Sequence, residues 1–372
     1  MKKLVGCVVL LALGAGMAKA GGVERSTQSV GILFEDGRYA EFSFGHFDPA
    51  VSGTSSFLGA PSGSGDMLAT FNTITMGYKQ ALSDRLDIAV VFDQPIGAEI
   101  DYPEDTSYPI AGTTAELNSN AITGFLRYKL PSNISLIGGV RVLRTSGDVY
   151  LPFVGTTYTM NTSTETDVGY VLGIAWEKPE IAARVALTYN SAITHDFDAS
   201  ETYINPYAIF GIGLPSQEIE SSFTTKVPES VNLEFQTGVA PDTLLFGSVR
   251  WVNWKEFLIA PELYDEIYPE PLVFYQDNTV TYNLGLGHKF NETWSGAVLF
   301  GYEDSNGNIT GNLGPTDGFT SAGIAVTYTE GRLRLTGGLT YVDIGDATTR
   351  GIDGDFTDNS GWGAGLRVAV NF

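Results

Sequence analysis

Hydrophobic and polar residues alternate with period two through much of this chain. The segment Gly365-Leu366-Arg367-Val368-Ala369-Val370-Asn371-Phe372 puts Leu366, Val368, Val370 and Phe372 on one face and Arg367 and Asn371 on the other. Ile122, Gly124, Leu126, Tyr128 and Leu130 stand likewise against Thr123, Arg127 and Lys129, and Val185, Leu187 and Tyr189 against Arg184, Thr188 and Asn190. Such alternation marks strands whose two faces meet different surroundings. Short connectors fall near Ser83-Asp84, Pro131-Ser132-Asn133, Lys178-Pro179-Glu180, Pro241-Asp242, Asn291-Glu292 and Glu330-Gly331-Arg332. Longer polar stretches, at 55–66, 103–114, 151–164, 199–217, 258–277, 304–317 and 344–359, lie between them. About 14 strands fit between these marks, and an even number with short turns at one end and long loops at the other is the pattern of a bacterial outer-membrane barrel. A soluble sandwich has no reason to alternate short and long connections. The predicted fold is therefore all-β, a transmembrane antiparallel barrel spanning 38–372.

Composition sharpens this picture. Lys2 and Lys3, the apolar run Leu4 to Met17 and Ala18-Lys19-Ala20 read as a signal peptide over 1–20. Cys7 lies within its apolar core, where a lipidation cysteine would have to follow one, and the mature chain then has no cysteine for a disulfide or a metal. Removal of three lysines leaves 18 basic against 43 acidic residues, a formal charge of −25. Nucleic acid, which needs a basic partner surface, is excluded as a ligand. The Asp/Asn/Gly tracts at 304–308 and 353–359 lack the spacing of an EF-hand, so no metal or other cofactor is expected. His46, His195 and His288 fall on separate elements and show no hydrolase triad in sequence, which argues against an enzyme.

Charge at the lipid face is costly, about 2–4 kcal/mol for a cation at mid-membrane, so Arg127, Arg141, Arg184, Arg250, Arg334 and Arg367 should point into the lumen. Two roles are open to them. They can pair with inward acids such as Glu234. Alternatively Arg141, Arg184 or Arg250 can hold the carboxylate of an amphipathic ligand, which suits the guanidinium fork. In Val90-Val91-Phe92-Asp93-Gln94-Pro95-Ile96-Gly97, Pro95 cannot donate to a neighbouring strand and Gly97 permits a bend. The strand either ends at Pro95 or kinks there and opens the wall sideways.

Phe92-Asp93-Gln94-Pro95-Ile96-Gly97, Gly138-Gly139-Val140-Arg141, Lys226-Val227-Pro228-Glu229-Ser230-Val231-Asn232-Leu233 and Trp251-Val252-Asn253-Trp254-Lys255-Glu256-Phe257 together resemble segments of the FadL/TodX outer-membrane transporters of fatty acids and hydrocarbons. The resemblance implies 14 strands, an N-terminal hatch, a lateral opening at the third strand and passive uptake of hydrophobic compounds, with long-chain fatty acid as default ligand. It places the hatch at 21–37. There Phe34-Glu35-Asp36-Gly37 stands where the family usually carries Asn-Pro-Ala, and the segment is short. The expected partners are the hydrophobic ligand, outer-membrane lipid and lipopolysaccharide, and the barrel-assembly machinery, with the chain acting as a monomer. A general diffusion porin and an adhesive surface protein are the alternatives.

Overall fold

The computed structural model describes residues 23–372; the expected leader, Cys7 and residues 21 and 22 lie outside the described residues. Fourteen antiparallel strands close into one barrel. The first five are β1 (Arg38–Ala50), β2 (Phe71–Ser83), β3 (in two arms, Leu86–Asp93 and Ala98–Asp101), β4 (Thr114–Lys129) and β5 (Ile134–Phe153). Three more run in two arms each: β6 (Thr156–Thr162 and Glu165–Lys178), β7 (Ala183–Asn190 and Ile193–Ile204) and β8 (Gln217–Val227 and Ser230–Ala240). The rest are β9 (Thr243–Val252), β10 (Thr279–Lys289), β11 (Trp294–Glu303), β12 (Phe319–Glu330), β13 (Leu333–Ile344) and β14 (Asn359–Asn371). β1 pairs with β14 from Tyr39↔Asn371 to Ala50↔Ser360, which closes the sheet and leaves no edge strand. Closure pairs most of the strands' backbone within the protein, the condition for crossing lipid.

The alternation seen in sequence becomes the wall. On β4, Ile122, Leu126 and Tyr128 are exposed and Thr123, Phe125 and Arg127 are buried. Two aromatic pairs mark the interfaces. Trp294 meets Tyr328 near the short turns, and Tyr341 meets Trp362 near the loops, each with ring centroids 5.1 Å apart. Such girdles sit at the headgroup level of a membrane barrel.

Two expectations need correcting. The stretch 151–164 is no long loop, because β5 and β6 continue to Phe153 and Thr156 and meet at a two-residue turn, Val154-Gly155. Both turn residues have positive φ, 47° and 85°, as a type I′ hairpin turn requires. Pro152 and the neighbouring Gly and Thr residues imitate a loop in sequence, but Pro152 sits in the strand opposite Thr157. The second correction concerns β9, expected over 243–257. It stops at Val252, and Trp254–Glu256 form a 3-10 turn that folds Trp254 and Phe257 into the interior.

Above the membrane the long loops build a cap. A small sheet joins Gly53–Ser55 to Ser62–Gly63 and to Asp355–Phe356, which also pairs with Ala347–Thr348. The loop between β9 and β10 carries the helix α1 (Glu262–Ile267). Glu201 on β7 anchors α1, accepting from the backbone N–H groups of Leu263 and Tyr264 and from the hydroxyls of Tyr158 and Ser221. This carboxylate meets the helix's free N–H groups, where a negative charge is stabilising.

Candidate functional site

Inside the barrel, the short-turn end is filled by charge and by the chain's own N-terminal segment. Asp87, fully buried, lies 3.1 Å from Lys79 Nζ, 2.7 Å from Lys129 Nζ and 3.7 Å from Arg127. Val30, Ile32 and Leu33 are buried against Tyr39, Phe125 and Ile137 of the wall. Phe34 lies between two guanidinium groups, 4.2 Å from Arg127 and 4.3 Å from Arg184. Glu35 pairs with Arg334 at 2.8 Å, and its carbonyl accepts from Lys79 Nζ. The Asp36 carbonyl accepts from Asn371, and Gly37, at φ 60°, turns the chain into β1.

The three candidate arginines are thus lumenal and buried; Arg141 and Arg250 share the field of the buried Asp93, while Arg184 faces Glu234 and Glu35. Arg141 donates to Thr123 at 3.0 Å and to the Gln28 side chain. Arg250 is held by Glu24 and by Asn232. Glu234 accepts from Ser29 and from the Val30 N–H. Arg184 is different, since its Nε and Nη2 have no hydrogen-bond partner although the residue is buried.

At Pro95 the strand does not end. Pairing with β4 resumes at Ala98↔Leu117 after stopping at Asp93↔Ala121, so five residues of β3 span four of β4. This extra residue bends the strand as a bulge does. Towards β2 the ladder breaks: it runs to Met76↔Phe92 and returns only at the bridge Leu68↔Ile100. Within that interval the Ile74 N–H donates to the Gln94 side chain at 3.0 Å. The backbone groups of Ile96 face β4, where both bond the Ser119 hydroxyl. Those of Pro95 and Gly97 point the other way, into the place β2 has vacated, and there they meet the N-terminal segment. Gly97 N–H donates to the Val23 carbonyl at 2.8 Å, and Arg25 N–H donates to the Pro95 carbonyl at 2.9 Å.

Arg25 also fills the gap with its side chain. Its guanidinium stacks on Phe71 of β2 at 4.3 Å and pairs with Glu99 of β3 at 3.3 Å. It passes so close over Gly97 that a Cβ there would lie 2.6 Å from Arg25 Nε. Gly97 is glycine because this arginine crosses it.

Beneath the loop cap lies an apolar cavity of about 150 Å³. Val23 and Ile96 bound it near the kink, Phe197, Phe223 and Phe257 line its wall, and Arg350 stands at its mouth. Arg350 stacks on Phe274 at 3.8 Å and pairs with Glu270 at 3.0 Å, which ties two loops together over the cavity. Burial holds the Tyr275 phenol above its ordinary pKa, so this lining residue stays uncharged. A second space of about 70 Å³ shares Val23, Ala98, Ile100 and Tyr275 with the first and reaches Phe71, Gly97 and Arg25 at the gap. The two apolar cavities thus adjoin, one under the loops and the other at the break in the wall.

A loop-capped barrel with this interior has known counterparts. The family described as outer membrane protein transport protein (OMPP1/FadL/TodX) matches the sequence over residues 48–307. The chain belongs to the FadL/TodX family. It is an outer-membrane protein of the Gram-negative type, and its family transports hydrophobic compounds. No curated protein matches the sequence. Among solved structures, a FadL homologue of Pseudomonas aeruginosa superimposes with a TM-score of 0.77 at 16% identity, over 97% of this chain and 98% of that one. The toluene transporter TodX of Pseudomonas putida gives a TM-score of 0.66 at 11% identity, over 95% and 98%. The toluene transporter TbuX of Ralstonia pickettii gives 0.63 at 11%, over 91% and 90%. At such identities the likeness is one of fold.

For this FadL/TodX-family chain, the sequence located the kink residues and the inward arginines but missed Arg25 and the cavity. Arg25 stands alone in a short polar stretch, and nothing local shows that it meets Phe71 and Glu99. The cavity residues come from β3 to β8 and three loops, so no spacing along the chain reveals them.

Proposed function

We propose that the protein takes up hydrophobic small molecules passively, through the loop-capped cavity and out sideways at the β3 kink. The observation that carries this is a pair of adjoining apolar cavities, one beneath the loops and one at the unpaired interval between β2 and β3, which share Val23, Ala98, Ile100 and Tyr275 as lining. An apolar solute gains by staying out of water throughout, about 25 cal/mol per Å² of its apolar surface, so no energy source is required. Residues 23–37 act as a hatch that fills the lower lumen, and Arg25 is its latch in the wall.

The cavity's size favours a small ligand. A dry apolar cavity of about 150 Å³ holds a benzene-sized ring. The solved relatives described as toluene transporters fit such a reading. The long-chain fatty acid anticipated from sequence would have to thread both spaces. Its carboxylate would reach Arg141 or Arg250 only after the hatch gives up Gln28 and Glu24, whereas Arg184 has open donors.

Two measurements test the route. In planar bilayers the protein should show no large ionic steps; steady porin-like conductance would replace the proposal with a diffusion pore. In proteoliposomes or cells, Ile74→Cys with Gln94→Cys, joined by a short bis-maleimide linker, should bar the gap and slow uptake of a hydrophobic probe several-fold. Uptake unchanged by the linker would refute lateral exit.

A further inference from the structure

On the wall of this mainly apolar cavity, which also carries Glu116, Asp148 and Thr225, one hydroxyl is held by a buried histidine. Thr145 of β5 and His195 of β7 both line it. The His195 side chain is fully buried, its Nδ1 is 2.8 Å from Asp167 of β6, and its Nε2 is 3.2 Å from Thr145 Oγ1. The backbone explains how these three strands come together. The β6–β7 ladder stops at Val171↔Asn190 and resumes at Thr162↔Ala199; between them Tyr170 bonds Ser191 and Ser163 bonds Asp198, and the ladder is broken in the middle. Asp167 and His195 bridge that interval with side chains.

The bonding pattern fixes what the site offers. A carboxylate at Nδ1 places the ring proton there, and in the neutral imidazole Nε2 must then accept. In that tautomer the Thr145 hydroxyl donates to Nε2. Its own oxygen keeps lone pairs, and among the described residues no group donates to them. An acceptor on the wall of a mainly apolar cavity is matched by a ligand that brings one donor. Next to it, His195, Phe197 and Phe223 form a run of rings with centroids 5.6 and 5.5 Å apart, against which a flat apolar ring can pack.

We propose that Thr145, oriented by His195 and Asp167, makes this cavity selective for small ring compounds that carry a hydroxyl, of the phenol class, over the hydrocarbons of the same size. The inference rests on the cavity being the ligand site of the proposed function. Thr145 contacts the ligand; His195 and Asp167 are positioning residues.

Phenol and toluene, nearly equal in shape, provide the test. Their binding to the full-length barrel in detergent is measured by calorimetry for the wild type, Thr145→Val and Thr145→Ser. Thr145→Val removes the acceptor at almost constant volume, so phenol should weaken about 3–10-fold, the worth of one buried hydrogen bond, while toluene stays the same or tightens. Thr145→Ser should keep the phenol affinity. A phenol-to-toluene ratio that does not move in Thr145→Val overturns the inference. If toluene still binds in that case, the cavity remains the ligand site and only the selectivity is wrong. If the wild type binds neither compound, the proposed function itself fails and takes this inference with it. Hydrolysis of nitrophenyl acetate by the wild type, lost in Thr145→Val, would also overturn it, because the same carboxylate, imidazole and hydroxyl order would then be catalytic.

Discussion

Single residues in this barrel have sharply different jobs according to which side of the wall they face. Asp87 is fully buried and pairs with Lys79, Arg127 and Lys129 at once, and Arg127 also pairs with Glu177. Asp87→Asn should therefore cost about 3–5 kcal/mol, the penalty of leaving buried charge uncompensated, read as a lower urea midpoint for the folded barrel on gels. An unchanged midpoint would show that lumenal water screens the cluster. Arg25 is a different case, because the proposed route makes it a latch across the β2–β3 gap. Arg25→Ala should speed release of bound ligand several-fold, measured by stopped-flow fluorescence, with the urea midpoint held. Gly97→Ala should act in the same direction, since its Cβ would displace the guanidinium that lies 2.6 Å away. If both variants release ligand at the wild-type rate, the latch is not in the path.

At the level of elements, the strands follow directly from alternation, and the irregularities follow from tertiary demands. Predicted strands such as 332–343 and 360–372 differ from the observed β13 and β14 by a residue at either end. The β3 kink was readable as two alternatives, since Pro95 is equally consistent with a strand end. Resumed pairing at Ala98↔Leu117 shows that the strand continues past Pro95, and no local propensity contains that information. The β5–β6 hairpin went unread for the opposite reason. Its turn needs positive φ at a valine, a conformation that β-branched residues avoid, so the sequence carries no turn signal there. Val154→Asn should relieve that strain and stabilise the barrel by about 1 kcal/mol, visible as a raised urea midpoint. A lower midpoint would mean that Val154 has packing contacts worth more than the strain.

For the molecule as a whole, the lumen is occupied in two layers. Charge, polar contacts and the N-terminal segment fill the lower one; apolar side chains under a loop cap form the upper one. Residues 23–36 supply partners to Arg127, Arg141, Arg250 and Arg334 at once. Deleting them should leave a folded barrel with an open, positively lined lower lumen, and planar bilayers should then show stable, anion-favouring conductance absent from the intact protein. Conductance unchanged by the deletion would place the barrier in the loop cap instead.

What the sequence determined by itself is the wall. Lipid accepts only apolar side chains on one face and a self-satisfied backbone, so alternation, even strand count and short turns are written into every segment. Composition likewise excluded nucleic acid as a ligand. What only the tertiary structure decided is the interior. Arg25 and Glu99, Glu24 and Arg250, and Thr145, His195 and Asp167 meet across 28 to 226 residues of chain. Such meetings depend on the barrel's closure and on where its ladder breaks. Local periodicity records which way a side chain points, and it does not record what that side chain finds there.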